Sequence, residues 1–483
     1  MVTSNSNPEN QNYNRVLFVN PPNIPFSDRS LLIEPIDIIS LATYIQSLGN
    51  NVKVLDMDVK QMPVKSIEDT LLSFNPNVVV IPFDYHIPLH HTAAIKNVTE
   101  ISQIAKSFGL GVVVGGKTPK HYPEQFLDNG ADVVISGEME TALKKLLNLD
   151  ERSKHNLNDI KLDKFSTNNL NYSQISNIIF KDKNSLTTHA INETHFDLNE
   201  LPTPDRSLVN IDDYIDVRSI LSSRGCDEFC GFCPTKSFWG NWRARSPKKV
   251  VKEIKTLVED YNADKIIFLD DNATIDDYRM RSISDKIIDN NIYTTLGCLS
   301  NVNNLMTYSL RKMYTAGFRW IHNGAESGSK KVLNNSNCLN KTPRRIRKVV
   351  EDSMHEGFRV RTSWIYDLPG TDKQAIKDTN DLILKLEPQE IRIHYLCARA
   401  GTTFQQTSDD GVPSQYIHSN KPQTFTGCNI NDINNGIEKL TDKLESRDYL
   451  IVKNVKEWDK ISRMKDPKFI SFVPARYGIG WER

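Results

Sequence analysis

Net charge is the first thing this sequence lacks: 60 Lys and Arg stand against 60 Asp and Glu in 483 residues. Without a basic excess there is no electrostatic footprint for a nucleic-acid partner. Long apolar runs are missing too. No stretch reaches the roughly 18 apolar residues of a membrane span, so no membrane partner is expected. The opening MVTSNSNPENQNYN has neither the basic start nor the apolar stretch of a secretory signal, and residues 1–14 read as a disordered leader. Cysteine is scarce, with seven in the chain, which excludes a disulfide scaffold. Three of them crowd between 226 and 233, and this usage points to a reducing compartment, the cytoplasm. No repeat is long enough to suggest a solenoid. At roughly 100–200 residues per domain, the length implies two to four domains, each able to bury a core.

Short β-branched runs alternate with amphipathic stretches over residues 15–150. Candidate strands are 15–19, 52–56, 78–82, 111–114 and 132–136, with helices between them at 37–48 and 93–108. Continuous apolar strands alternating with helices predict a parallel sheet covered on both faces, here a flavodoxin-like, Rossmann-type doubly wound domain. Such domains bind ligands at the carboxyl ends of their strands. Residues 151–216 read as a polar, Asn-rich linker followed by a hairpin around Lys183-Asn184-Ser185 and an extended approach containing Pro202 and Pro204. From 217 to 400 the β/α alternation resumes, with strands at 218–222, 265–270, 293–298, 318–323, 358–366 and 390–397. Ser246-Pro247 and Thr342-Pro343 each place a capping hydroxyl before a proline at the first helical position. Six β/α units predict a (βα)6 partial TIM barrel with its chemistry at the strands' carboxyl ends. Residues 401–483 lose this regularity and read as a small α-rich region on the substrate side.

The densest chemical signal is Arg224-Gly225-Cys226-Asp227-Glu228-Phe229-Cys230-Gly231-Phe232-Cys233. Soft thiolates spaced C-x3-C-x2-C on one loop suit three corners of an iron–sulfur cubane and leave one iron open. A structural zinc site would want a fourth ligand at matching spacing, and none follows nearby. A redox dithiol needs only two cysteines. Arg224, Arg243 and Arg245 flank the loop, placed to offset cluster charge or meet an anionic substrate.

This loop, with an aromatic residue before its last cysteine and a place after the first barrel strand, resembles that of radical S-adenosylmethionine (SAM) enzymes. Further blocks resemble the subgroup with an N-terminal cobalamin (B12)-binding-type domain: VLFVNPP (16–22), GGKTPKHYPE (115–124), ISGEMETAL (135–143), FLDDNAT (268–274), GAESGS (324–329), YDLPGTD (366–372) and AGTTF (400–404). Where that subgroup commonly has Pro-Leu-Gly-Leu, this chain reads Pro35-Ile36-Asp37-Ile38. The resemblance implies a [4Fe-4S] cluster on Cys226, Cys230 and Cys233 that binds SAM and, once reduced, cleaves it to a 5′-deoxyadenosyl radical. It implies SAM contacts from Asp270, Asp271 and Glu326, adenine packing by Phe232, and a one-electron donor such as flavodoxin or ferredoxin.

The expected outcome is cobalamin-dependent C-methylation at an unactivated C–H of a small molecule, a natural product or a peptide. An alternative is a peptide epimerase in which Cys397, at the end of the sixth strand, returns a hydrogen atom to the carbon radical. Cys298 competes with it for that role, and Cys338 and Cys428 carry none. A reading from another class is a non-catalytic SAM- or cobalamin-binding module, against which the three retained cysteines argue.

Overall fold

The first sheet is built from strands whose alternate residues feed two different cores. The computed structural model describes residues 14–22, 33–85, 92–149, 175–182, 185–188, 195–396, 399, 401–404, 428–453, 457, 461 and 464–472. In β1 (Arg15–Asn20), Val16 and Phe18 enter one core while Leu17 and Val19 enter the other. The same alternation holds in β3 (Val78–Pro82), where Val78 and Val80 oppose Val79 and Ile81. Burial on both faces is what a parallel sheet between two helical layers requires. With β2 (Asn51–Asp56), β4 (Gly111–Gly115) and β5 (Val133–Ile135), the parallel order is β2-β1-β3-β4-β5, the flavodoxin-like arrangement. The helix Ile36–Ser47 covers one face through Ile38, Leu41, Ala42 and Ile45. The helix Thr92–Ser107 covers the other through Ile95, Val98, Ile101 and Ala105. The expected hairpin forms as β6 (Ile178–Asp182) and β7 (Ser185–Thr188), and it adds antiparallel to the edge of this sheet at β5.

The second sheet begins with β8 (Arg218–Ile220). A two-stranded clip, β9 (Ser223–Arg224) with β10 (Arg243–Ala244), follows it. Then come β11 (Lys265–Phe268), β12 (Thr295–Asn301), β13 (Phe318–Glu326), β14 (Arg359–Ile365) and β15 (Glu390–His394), all parallel neighbours in chain order. Of the two prolines marked as helix starts, Pro343 has the full device: the Thr342 hydroxyl accepts the Arg345 N–H at 3.1 Å. Pro247 also opens a helix, Pro247–Tyr261, but Ser246 makes no side-chain capping bond. The C-terminal region supplies the helix Ile430–Glu445 and two further parallel strands, β16 (Leu450–Val452) and β17 (Phe469–Ser471), which extend the sheet to eight. At three residues each, these strands are too short to show a periodicity.

The two domains share buried contacts. Ile33 and Ile36, at the start of the first domain's leading helix, join Val217, Leu221, Ile267, Leu269 and Trp320 of the barrel in one apolar cluster. Beside them the fully buried Arg206 bridges Glu34 and Glu253, and Glu34 also accepts the Ser219 N–H of β8 at 2.9 Å. Among the described residues no helix is long and apolar enough to cross a membrane.

Candidate active site

The cysteine loop leaves β8 and is closed at its base by the β9–β10 clip. Gly225 sits at φ +85°, and a Cβ there would fall 2.7 Å from the Asn241 carbonyl oxygen, so only glycine makes this turn. Gly231 is held from both sides: its N–H donates to Ser336 O at 2.8 Å and its carbonyl accepts the Thr403 N–H at 3.0 Å. Cys226, Cys230 and Cys233 are half-buried free thiols on one loop, with the Cys233 N–H donating to Cys230 O. Among the described residues no three His, Cys, Asp or Glu side chains converge tightly enough for a single metal ion. Thiolates bound to different irons of a cubane need not meet at a point. Burial pushes the Cys226 thiol up to about 12 and also raises Cys233. Cys230 is held below the ordinary thiol range, first by a hydrogen bond from Cys338.

The carboxylates at the strand ends divide into separate roles. Asp270, buried at the end of β11, accepts from the N–H groups of Ser222 and Ser223 and from the Ser222 hydroxyl. These three bonds tie Asp270 to the chain entering the cysteine loop. Asp271 accepts the Thr235 hydroxyl at 2.8 Å through Oδ1, while its buried Oδ2 has no hydrogen-bond partner among the described residues. A buried carboxylate oxygen beside the cysteine loop fits a cationic donor such as the SAM ammonium. Glu326 ends β13 at φ +66°, a conformation non-glycine residues rarely hold, and β13 shifts register against β14 there. A Cβ on Gly324 would lie 2.4 Å from Glu326 Oε1, which explains the first glycine of GAESGS. Phe232 packs between the barrel core and a small cluster containing Leu368, Leu396 and Phe404.

Two residues make contacts at the site that spacing did not signal. Lys341, 2% exposed, donates from its ammonium to Gly324 O and to Glu326 Oε1, both at 2.9 Å. The Sγ of Cys338, fully buried, lies 3.4 Å from the Sγ of Cys230. Cys298 faces the helical layer among Ile266, Phe268 and Leu296, away from the barrel interior. Cys397 lies outside the described residues.

The arginines flanking the cysteines are paired with carboxylates. Arg224 Nη2 donates to Glu140 Oε1 at 2.6 Å and its Nη1 lies 3.5 Å from Glu138 Oε1, while Arg243 Nη2 reaches Glu138 at 2.7 Å. Arg245 pairs with Glu253. Burial opposes ionisation of Glu138, but the Arg224 and Arg243 guanidiniums outweigh it and hold the carboxyl below its usual range. Arg224 also stacks over Trp239, 4.9 Å to the ring centre, and the Tyr85 hydroxyl donates to Glu140. The first domain's GEME segment (137–140) thus clamps the residue two before Cys226. The two acids were visible inside ISGEMETAL, but nothing in spacing alone matched them to arginines 84 or 105 residues on.

The barrel's inner face is polar. The His322 ring is 2.6 Å from the Ser363 hydroxyl, and Arg361 pairs with Glu390 and lies 4.9 Å over Trp320. Burial, reinforced by Arg361 and Arg392, pushes His322 well below the ordinary imidazole range, so it is neutral at pH 7. In the first domain, strand order reverses between β1 and β3, where an open α/β sheet forms its ligand crevice. Gly116, after β4, has φ +135°, and a Cβ would lie 1.8 Å from Phe83 O, so only glycine lets the chain leaving β4 pass against the end of β3. Asp37 is buried in the first turn of its helix, where the dipole favours an anion, and its Oδ1 accepts the Ile38 N–H.

Two family profiles match the chain: the B12 binding domain over residues 27–147 and the Radical SAM superfamily over residues 220–383. The chain belongs to the radical SAM superfamily, in the subgroup with a B12-binding domain ahead of the radical SAM domain. Its cofactors are a [4Fe-4S] cluster, SAM and cobalamin. It is 23% identical over 364 residues to an uncharacterised methyltransferase of Pyrococcus horikoshii, covering 73% of each chain. It is 20% identical over 413 residues to the anaerobic magnesium-protoporphyrin IX monomethyl ester cyclase of Synechocystis, covering 81% of this chain and 76% of that one. Its fold is similar to that of the radical SAM methyltransferase TsrM from Kitasatospora setae, with TM-score 0.68, 15% identity and coverage of 81% and 77%.

Proposed function

We propose that this protein is a cobalamin-dependent radical SAM methyltransferase that transfers a methyl group to an unactivated C–H carbon of a small molecule or peptide. The observation that carries the reading is the clamp from Glu138 and Glu140 to Arg224, which fixes the cysteine loop against the cobalamin-type domain. Methyl transfer needs the two cofactors held in one cavity, and a buried, charge-balanced contact two residues from Cys226 holds their domains in register. When bound, the cluster and SAM supply the radical that removes hydrogen, and cobalamin supplies the methyl carrier.

The chain's own residues then bind, orient and exclude water. Cys226, Cys230 and Cys233 hold the cluster. Asp271 Oδ2 receives the SAM ammonium, Glu326 accepts from the SAM ribose or ammonium with Lys341 holding its carboxylate in place, and Phe232 packs beside the adenine. Asp270 keeps the loop entry rigid. His322 and Ser363 line the barrel interior as neutral polar groups, suited to a polar substrate. The working division of the chain is a cobalamin-type domain at 15–150, a connecting segment at 151–216, the radical SAM barrel at 217–400 and a substrate-side region at 401–483. The electron donor is a small one-electron carrier such as flavodoxin or ferredoxin. The methyltransferase names among its relatives support this reading.

The test is anaerobic purification after expression with cobalamin, followed by iron, sulfide and corrin analysis and product analysis with SAM and a low-potential reductant. The expected result is one corrin beside a four-iron cluster, with SAM yielding S-adenosylhomocysteine, the remnant after methyl loss, alongside 5′-deoxyadenosine. Changing the three cysteines to Ala removes the cluster. A full cluster without corrin, or 5′-deoxyadenosine with no S-adenosylhomocysteine, refutes methyl transfer.

A further inference from the structure

The turn after the helix Lys330–Asn335 is fastened to the cysteine loop. Ser336 O accepts the Gly231 N–H at 2.8 Å, the Cys338 N–H donates to Leu333 O, and the Lys341 N–H donates to Cys338 O. This backbone staple brings the Cys338 thiol to 3.4 Å from Cys230 Sγ, while among the described residues its other acceptor, Ser336 O, is farther at 3.7 Å. The Lys341 ammonium donates to Gly324 O and Glu326 Oε1, and its charge also acts on Cys230. A sulfur bound to iron has no proton and can only accept. A fully buried neutral thiol beside it can only be the donor, so the direction of the contact is set by the chemistry. Hydrogen bonds to cluster sulfurs stabilise the more anionic, reduced state and raise its potential.

We propose that Cys338 is a positioning and tuning residue whose S–H donates to the ligand sulfur of Cys230 and makes the cluster easier to reduce. The proposal rests on Cys230 being a cluster ligand. Donation to a charged acceptor is stronger than a neutral contact, so its loss is measurable even though sulfur is a weak donor.

The experiment uses the full-length, cluster-loaded protein without substrate, as wild type, Cys338→Ser and Cys338→Ala. Iron and sulfide are counted first, and the midpoint potential is then read by titration followed by electron paramagnetic resonance. With four irons retained, Cys338→Ala lowers the reduced-to-oxidised ratio at a fixed potential about tenfold, equivalent to about 59 mV for one electron. Cys338→Ser keeps a hydroxyl donor and recovers most of the shift. An unchanged midpoint in a fully loaded Ala variant overturns the proposal, as does a Ser variant displaced as far as Ala. Should the Ala variant lose iron, the wild-type protein still decides. Its infrared S–H band for Cys338, identified by subtraction of the Ser variant, is displaced to lower frequency on cluster loading if the bond forms, and stays put if it does not. A wild-type protein that binds no iron at all sinks the cluster assignment itself, a different failure from an untuned cluster.

Discussion

Removing Glu140 leaves a guanidinium buried without its main partner, and the cost follows from the local charge count. The interdomain clamp holds two carboxylates, Glu138 and Glu140, against two guanidiniums, Arg224 and Arg243. Glu140 is fully buried and Arg224 only 2% exposed, so water cannot replace either partner. Glu140→Met therefore strands one positive charge and also takes away the acceptor of the Tyr85 hydroxyl. Losing one partner of a buried pair costs about 3–5 kcal/mol, a large share of the roughly 5–15 kcal/mol that separates folded from unfolded domains. Replacing both partners, Glu140→Met with Arg224→Met, removes the stranded charge and should cost less than the Glu140 change alone. The assay is chemical denaturation of the cluster-free protein followed by circular dichroism, with both single variants and the double, closed as a thermodynamic cycle. Because Arg224 lies two residues before Cys226, the Glu140→Met protein should also take up less iron. The reasoning is refuted if Glu140→Met lies within 1 kcal/mol of wild type, well short of the roughly 3 kcal/mol that a stranded buried charge costs at the least. It is refuted equally if the double variant is as unstable as the two single losses added together.

Asp271→Asn keeps the Thr235 contact through Oδ1 but removes the charge next to the unpartnered oxygen. At about 1.5–3 kcal/mol for a charged hydrogen bond, SAM affinity should fall roughly tenfold to a hundredfold at unchanged iron content, measured by anaerobic equilibrium binding; undiminished affinity would show that the oxygen faces something else. Asp56, at the end of β2, accepts the Tyr214 hydroxyl at 2.7 Å, and burial raises its carboxyl to about 6. The folded protein then holds a proton between about pH 4 and 6 that the unfolded chain has lost, so stability falls as pH rises through that window, by at most about 3 kcal/mol. Asp56→Asn should flatten this slope in pH-dependent thermal unfolding, and an unaltered slope would assign the dependence elsewhere. Glu138 acts with the opposite sign: its lowered carboxyl adds stability that is present above the ordinary Glu value and lost as pH falls through the folded one.

Much of the fold was legible because its signals are local. The runs at 15–19, 78–82 and 111–114 are β-branched and continuous, and they became fully or nearly fully buried parallel strands. Thr342-Pro343 carried its own start signal, realised as a side-chain cap. Where the signal was weak, the reading was incomplete. The three-residue strands β16 and β17 are shorter than any period, and pairing with β15 alone makes them strands. Asp270 and Asp271 are adjacent and chemically identical in sequence, yet the first is consumed by Ser222 and Ser223 while the second keeps a bare oxygen. Only the direction in which each side chain leaves the end of β11 separates them.

The sequence by itself determined the three-thiol loop and the two β/α domains, since ligand spacing and periodicity are properties of neighbouring residues, and the motifs they carry supplied the family resemblance that implies the cofactors. The tertiary structure alone decided which distant groups meet: Arg224 with Glu140, 84 positions apart, and Cys338 with Cys230, 108 apart. Those contacts exist because strands far apart in the chain end at one rim, where burial makes an unpaired charge costly and brings a thiol within reach of a ligand sulfur.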